Sequence, residues 1–114
     1  MVSVSFVPDR GDIVFIDCDP QRGREQTKRR PALVLTDRVY NDSARLCVVC
    51  PITSVVKGYP FEVPIPPGGK VGGVVLADQL RSFDWKARRA KWEERAPAGL
   101  VDEVLDRIAD LLEM

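Results

Sequence analysis

The sequence predicts a mainly β domain with one C-terminal α-helix, arranged as a small, partly open barrel of mainly antiparallel strands. Three observations predict it. Short apolar segments separated by turn residues recur along most of the chain, and the one long stretch with helical periodicity comes last. Strands and helices do not alternate, which argues against a parallel sheet built from βαβ units. The 114 residues, 45% hydrophobic and 30% charged, suffice for one core and not for two, so a single domain over 1–114 is expected. Any site on it is shallow, or shared between subunits.

Val2, Val4 and Phe6 alternate with Ser3 and Ser5 as a first strand, and Pro8-Asp9-Arg10-Gly11 is turn chemistry before a second strand at Asp12 to Asp17. Asp17 and Asp19 share a face by strand spacing, as metal ligands would. No third ligand is evident, and Asp before Pro20 is a common turn starter, so the turn reading is preferred. Between Gln21 and Arg30 five of ten residues are Arg or Lys, opposed only by Glu25. A solvated loop is the ordinary fate of such a run; a phosphate site is the sharper one. Pro31 cannot donate to a sheet ladder, so the loop is expected to end there and a strand to run from Ala32 to Thr36. Asp37 to Arg45, with Tyr40-Asn41-Asp42-Ser43 inside it, reads as a polar connector to a strand at Leu46 to Ile52.

Cys47 and Cys50 lie within that strand, three residues apart, and therefore point to opposite faces. They read as buried small apolar groups rather than a metal or redox pair. The hydroxyls of Thr53 and Ser54 emerge at the strand end, free to point into a cleft or to cap a turn. After Lys57-Gly58-Tyr59-Pro60, a strand at Phe61 to Ile65 is closed by Pro66-Pro67-Gly68-Gly69. Gly73 to Asp78 is a further apolar run that Gln79 to Phe83 could prolong, and Asp84 to Arg95 reads as a short helical turn followed by an alternating strand. Leu100, Val101, Val104, Leu105, Ile108, Leu111 and Leu112 recur at three- and four-residue spacing, with Pro97 near the start and acids outside. This helix is expected to cover one opening of the sheet.

The formal charge of zero hides an uneven layout. Basic residues crowd 22–30 and 81–95, whereas Asp102, Glu103, Asp106, Asp110 and Glu113 make the last segment acidic, so a polyanionic partner is compatible with a neutral total. The chain has no histidine, which removes histidine acid–base chemistry, histidine-bearing triads and mixed Cys/His zinc sites. Three cysteines, Cys18, Cys47 and Cys50, argue against a disulfide framework and for a reducing compartment. No apolar run approaches twenty residues and the N-terminus has no apolar leader, so a soluble, unexported, cytoplasmic protein is expected.

Taken together, Pro8-x-x-Gly11-Asp12, Asp17-x-Asp19-Pro20, Gly23-x-Glu25-Gln26-x-x-x-Arg30-Pro31-Ala32, Tyr40-Asn41, Pro51-x-Thr53, Lys57-Gly58-Tyr59-Pro60-Phe61 and Ala77-Asp78-Gln79-x-x-Ser82 resemble the MazF/PemK-type toxins of bacterial toxin–antitoxin pairs. The resemblance runs nearly end to end. It implies an SH3-like barrel, a symmetric homodimer, and a metal-independent, sequence-specific endoribonuclease that needs no cofactor, cuts single-stranded mRNA and is blocked by a cognate antitoxin.

The family's cleavage residues map onto Arg30 and Thr53. RNA carries its own nucleophile, the 2′-hydroxyl, so the protein need only align it with the adjacent phosphate and stabilise developing charge, a task that suits a guanidinium. Arg30 is accordingly expected to stabilise charge, Thr53 to hydrogen-bond the phosphate, and Glu25 to orient the substrate or take the proton. RNA contacts are expected from Arg22, Arg24, Gln26, Lys28, Arg29, Lys57, Asp78, Gln79 and Ser82, with a structural role for Asp78, Gln79 and Ser82 about as well supported. Trp85, Trp92 and Tyr59 are candidates for base stacking or for core packing. Some relatives use a histidine that has no counterpart here, which leaves the proton acceptor open. An alternative of another class is a non-catalytic toxin that binds a protein target such as a topoisomerase.

Overall fold

The computed structural model describes residues 6–17 and 29–114. Most of the expected first strand at Val2 to Phe6 lies outside them, as do Cys18, Asp19, Arg22, Arg24, Glu25, Gln26 and Lys28. Seven strands follow in order: β1 (Asp12–Asp17), β2 (Arg29–Val34), β3 (Cys47–Thr53), β4 (Glu62–Pro64), β5 (Val74–Leu76), β6 (Arg81–Phe83) and β7 (Lys91–Arg95). Helix α1 (Arg38–Ala44) joins β2 to β3, and α2 (Leu100–Leu112) ends the chain. All pairings are antiparallel, in the order β4-β5-β3-β2-β1-β7, and the sheet does not close. One edge of β3 is shared: β6 pairs along Cys47 to Val49, and β5 along Ile52 and Thr53. Among the described residues no helix is long and apolar enough to cross a membrane.

Strand alternation divides the core into two layers. Ile13, Leu33, Cys50, Ile52, Val63 and Val75 face one side, where Leu100, Val104 and Ile108 of α2 cover them. Val14, Ile16, Ala32, Val34, Cys47 and Val49 face the other, under Phe83 and Trp85. The helix therefore lies on a face of the sheet. Cys47 and Cys50 fall in different layers, as their spacing requires, and burial pushes each thiol up to about 12, with the Asp78 carboxylate adding to the effect at Cys50.

Three expectations are corrected. The segment 37–45 is not an open connector: Asp37 accepts a hydrogen bond from the Tyr40 N–H (2.9 Å) and so caps α1. Within α1, Asn41 is fully buried. Its amide donates to the carbonyls of Pro8 (2.7 Å) and Thr36 (2.8 Å), its Oδ1 accepts from Thr36 Oγ1 (2.6 Å), and its own carbonyl accepts from Trp85 Nε1 (3.0 Å). Asn41→Ala leaves those side-chain bonds unmade inside the core, and the expected loss of stability is about 3 kcal/mol or more in denaturant unfolding.

The apolar run after Gly73 does not continue through residue 83, because a 3-10 turn at Ala77–Gln79 separates β5 from β6. Nor does Pro31 start the pairing. β2 begins at Arg29, with Asp17↔Arg29, Ile16↔Arg30 and Phe15↔Pro31 as cross-strand partners. Leu35 N donates to Val48 O (2.8 Å), so by alternation the odd-numbered residues of β2 turn their backbone groups toward β3 and the even-numbered ones toward β1. Pro31 thus lacks a donor only on the β3 side. It ends that ladder at Ala32↔Pro51 and leaves the β1 ladder whole.

Candidate active site

The early end of the β2–β3 ladder opens the site. Pro31 turns its missing N–H toward β3, and beyond Ala32↔Pro51 the two strands are no longer paired. Continuing the register by two places sets Thr53 opposite Arg30, and opposite residues of an antiparallel pair carry their side chains on the same face. The unpaired seam is a cleft of about 420 Å³ lined by Arg29, Arg30, Pro31, Ile52, Thr53, Ser54, Val55 and Gly72.

The two arginines at its mouth differ. Arg29 faces away from Arg30 by strand alternation, and its guanidinium donates to Asp17 Oδ1 (2.5 Å) and to the carbonyls of Phe15 (3.2 Å) and Arg89 (2.9 Å). Arg30 is exposed, and no hydrogen bond or ion pair with another described residue engages its guanidinium. A cation so placed keeps its donors for a ligand. Thr53 Oγ1 accepts from the Val55 N–H (3.1 Å), which fixes the rotamer and leaves the hydroxyl proton to donate elsewhere. Turn capping and readiness to bind are therefore compatible at this residue.

A glycine pair and a distant carboxylate shape the wall behind Thr53. Gly73 has φ +105°, and a Cβ there would stand 2.1 Å from the Thr53 carbonyl oxygen. Gly73→Ala is expected to lower stability by roughly 2–3 kcal/mol or more, from strain and displaced backbone, and to shift Thr53 enough to depress activity. Thermal melting and RNA cleavage of the one variant check both effects. The loop ahead of it is closed by Ile65 N–H to Gly73 O (3.0 Å) and held by Glu94, which accepts from Lys70 N (2.9 Å) and Val71 N (2.8 Å). These two N–H groups hold the Glu94 carboxyl below its usual range. A depressed carboxyl stabilises above its unfolded value and loses that contribution as acid protonates it, so this latch is intact at neutral pH.

Other sequence-derived candidates lie apart from the cleft lining. Lys57 sits on a loop whose N–H groups at Lys57 and Gly58 are accepted by the buried carboxylate of Glu62. Asp78 lies in the 3-10 turn with Oδ1 buried and without a described partner, while Gln79 and Ser82 are exposed beside it. Trp85 is 5% exposed and bonded to Asn41, so it packs the core rather than offering a stacking face. Trp92 is 48% exposed, with Nε1 on Asp12 Oδ1 (3.3 Å), and Tyr59 is exposed with its ring centroid 5.3 Å from that of Phe61. Asp17 is occupied by Arg29 and Arg89, and among the described residues no group of three or more His, Cys, Asp or Glu is placed to hold a metal. Ser54 lines the cleft beside Thr53, one of the two outcomes expected for its strand-end hydroxyl, whereas Gly72, Gly73 and Glu94 carry no such expectation from sequence.

Residues 9–112 match the family described as PemK-like, MazF-like toxin of type II toxin–antitoxin system. The chain is 47% identical over 85 residues to the endoribonuclease toxin MazF of Escherichia coli K12, covering 75% of this chain and 76% of that protein. It is 39% identical over 108 residues to the endoribonuclease PemK of Escherichia coli, covering 91% and 81%. Among solved structures, MazF in the MazE–MazF crystal structure from Deinococcus radiodurans superimposes with a TM-score of 0.89 at 49% identity, over 96% of this chain and 99% of that one.

Proposed function

The chain belongs to the PemK-like, MazF-like toxins of type II toxin–antitoxin systems, and from that premise we propose that its cleft is the active site of a sequence-specific endoribonuclease acting on single-stranded mRNA. The observation that carries the reading is that Arg30 and Thr53 line one cleft at the end of the β2–β3 ladder, with the Arg30 guanidinium engaged by no described side chain. A phosphate in the cleft meets a cation carried on a paired strand and a hydroxyl donor. The 2′-hydroxyl of the preceding ribose gives up its proton and attacks that phosphate, the P–O5′ bond breaks, the departing 5′-oxygen takes a proton from water, and the products are a 2′,3′-cyclic phosphate and a 5′-hydroxyl end. Arg30 stabilises the charge that gathers on the phosphoryl oxygens, and Thr53 holds one of them.

None of the described cleft-lining residues is a carboxylate, and an arginine, which stays protonated, is a poor base. We assign the proton to Glu25, which lies outside the described residues, or to water. The chemistry asks for no metal. Purified protein incubated with end-labelled single-stranded RNA should give discrete cuts, whereas retention of RNA without scission would reduce the cleft to a binding site.

Relatives crystallised as MazE–MazF complexes support a cognate antitoxin as the physiological partner. The protein acts as a homodimer in the cytoplasm, and the antitoxin lays an acidic, apolar, initially disordered segment over the basic loop at Gln21 to Arg30. Antitoxin and an uncleavable RNA should compete, and added salt should weaken both; simultaneous, independent binding in a titration would contradict a shared site.

A further inference from the structure

A second cavity adjoins the cleft and a third adjoins the second, so that shared residues join the three into one path. Arg29 lines the cleft and also a cavity of about 440 Å³ formed with Arg89, Ala90 and Lys91. Arg89 and Ala90 in turn line a third, of about 400 Å³, whose walls include Phe6, Asp42, Arg45, Trp85 and Lys86. The topology explains the convergence. β1 lies between β2 and β7, so its end at Asp17 gathers Arg29 from one neighbour and Arg89, which precedes β7, from the other. Cations that the sequence keeps in two separate regions become one track.

Beyond the cleft this track carries five cations, Arg29, Arg89, Lys91, Lys86 and Arg45, against two carboxylates, Asp17 and Asp42. Arg45 closes α1 in the left-handed conformation, its N–H on Asn41 O (3.0 Å) and its guanidinium 6.0 Å from the Trp85 ring centroid. Its backbone is thereby fixed beside Trp85, with the guanidinium exposed at the rim of the third cavity. Phe6, half-buried, gives the third cavity an apolar wall. A cationic groove that ends in such a wall suits a backbone that tracks along it and a base that lies against the wall.

We propose that this path binds the single-stranded RNA flanking the scissile phosphate, with successive phosphates against Arg29, Arg89, Lys91 and Lys86 and one base in the cavity of Phe6 and Arg45. The inference rests on the reading of the cleft as the cleavage site. RNA is favoured over an acidic protein segment because the path is continuous with Arg30, and a strand held there by one phosphate must lay its neighbouring phosphates close by.

The test uses the full chain and two RNAs built around one mapped cut: a short one trimmed to the nucleotides at the cut, and a long one extended by about eight nucleotides on each side, within the span of single-strand binding surfaces. Both are also made with a 2′-deoxy residue at the cut so that binding is read without cleavage. The variant is Lys86→Glu with Lys91→Glu, two exposed positions. It is expected to weaken binding of the long RNA about tenfold or more, to lower the slope of log affinity against log salt by about two, and to shift the short RNA less than about twofold. RNAs extended on one side only should confine the loss to one flank. Equal losses for both lengths, or none for the long RNA, would overturn the path. So would a variant that loses affinity for an oligoglutamate peptide while keeping it for the long RNA. If the parent protein cuts no RNA, so that no cut can be mapped, the cleavage reading falls, while length-dependent binding of uncut single strands still judges the path.

Discussion

Arg30→Ala is expected to reduce RNA cleavage by two or more orders of magnitude while leaving the melting temperature nearly unchanged. The size follows from the loss of a charged donor aimed at a transition state, worth roughly 3 kcal/mol or more. The neutrality toward folding follows from position: Arg30 is exposed and holds nothing in the described structure, and its backbone pairs with Ile16 whatever side chain it carries. Arg30→Lys should recover little, since a point charge lacks the planar fork that grips two phosphate oxygens. Arg29→Ala should behave differently. It removes three hydrogen bonds, to Asp17 Oδ1 and to the carbonyls of Phe15 and Arg89, so the thermal midpoint should fall along with activity. Near-normal turnover by Arg30→Ala would remove that residue from the mechanism.

Much of this contrast could not be read in the sequence. The charge run from Arg22 to Arg30 marks a cationic loop, but nothing in it separates Arg29, tied to Asp17 through the β1–β2 register, from Arg30, one residue on and facing the other way. Pro31 was legible as a residue that cannot donate. Which of two ladders it interrupts depends on the backbone direction at its place in β2, a tertiary property. An apolar run after turn residues located β1, strand alternation gave the divergence of Cys47 and Cys50, and three- and four-residue spacing located α2, because in each the apolar residues themselves mark what is buried. Helix α1 carries no such pattern: its one buried residue is Asn41, which is held there through hydrogen bonds. The two tryptophans were alike in sequence and differ in the fold, Trp85 roofing one core layer and Trp92 lying on the outermost strand.

The second large effect concerns the substrate. If the attacking group is the 2′-hydroxyl, replacing the single ribose 5′ to the scissile phosphate by deoxyribose removes the nucleophile without removing any phosphate that Arg30 or Thr53 holds. Cutting at that bond should fall to background, and binding should change little, because recognition of the phosphate does not need that oxygen. Structured RNA should be spared as well, since an A-form duplex keeps the 2′-oxygen out of line with the phosphate. A mechanism with metal-activated water differs on both points, for it needs no 2′-hydroxyl and it fails in chelator.

The most direct measurement of the central claim is therefore cleavage of two otherwise identical single-stranded RNAs, one with ribose and one with deoxyribose at the mapped cut, in EDTA. Full cutting of the first and none of the second, with a cyclic phosphate on the upstream product, is the predicted result. Cutting at the deoxy-substituted position, or loss of all cutting in EDTA, would contradict the roles given to Arg30 and Thr53.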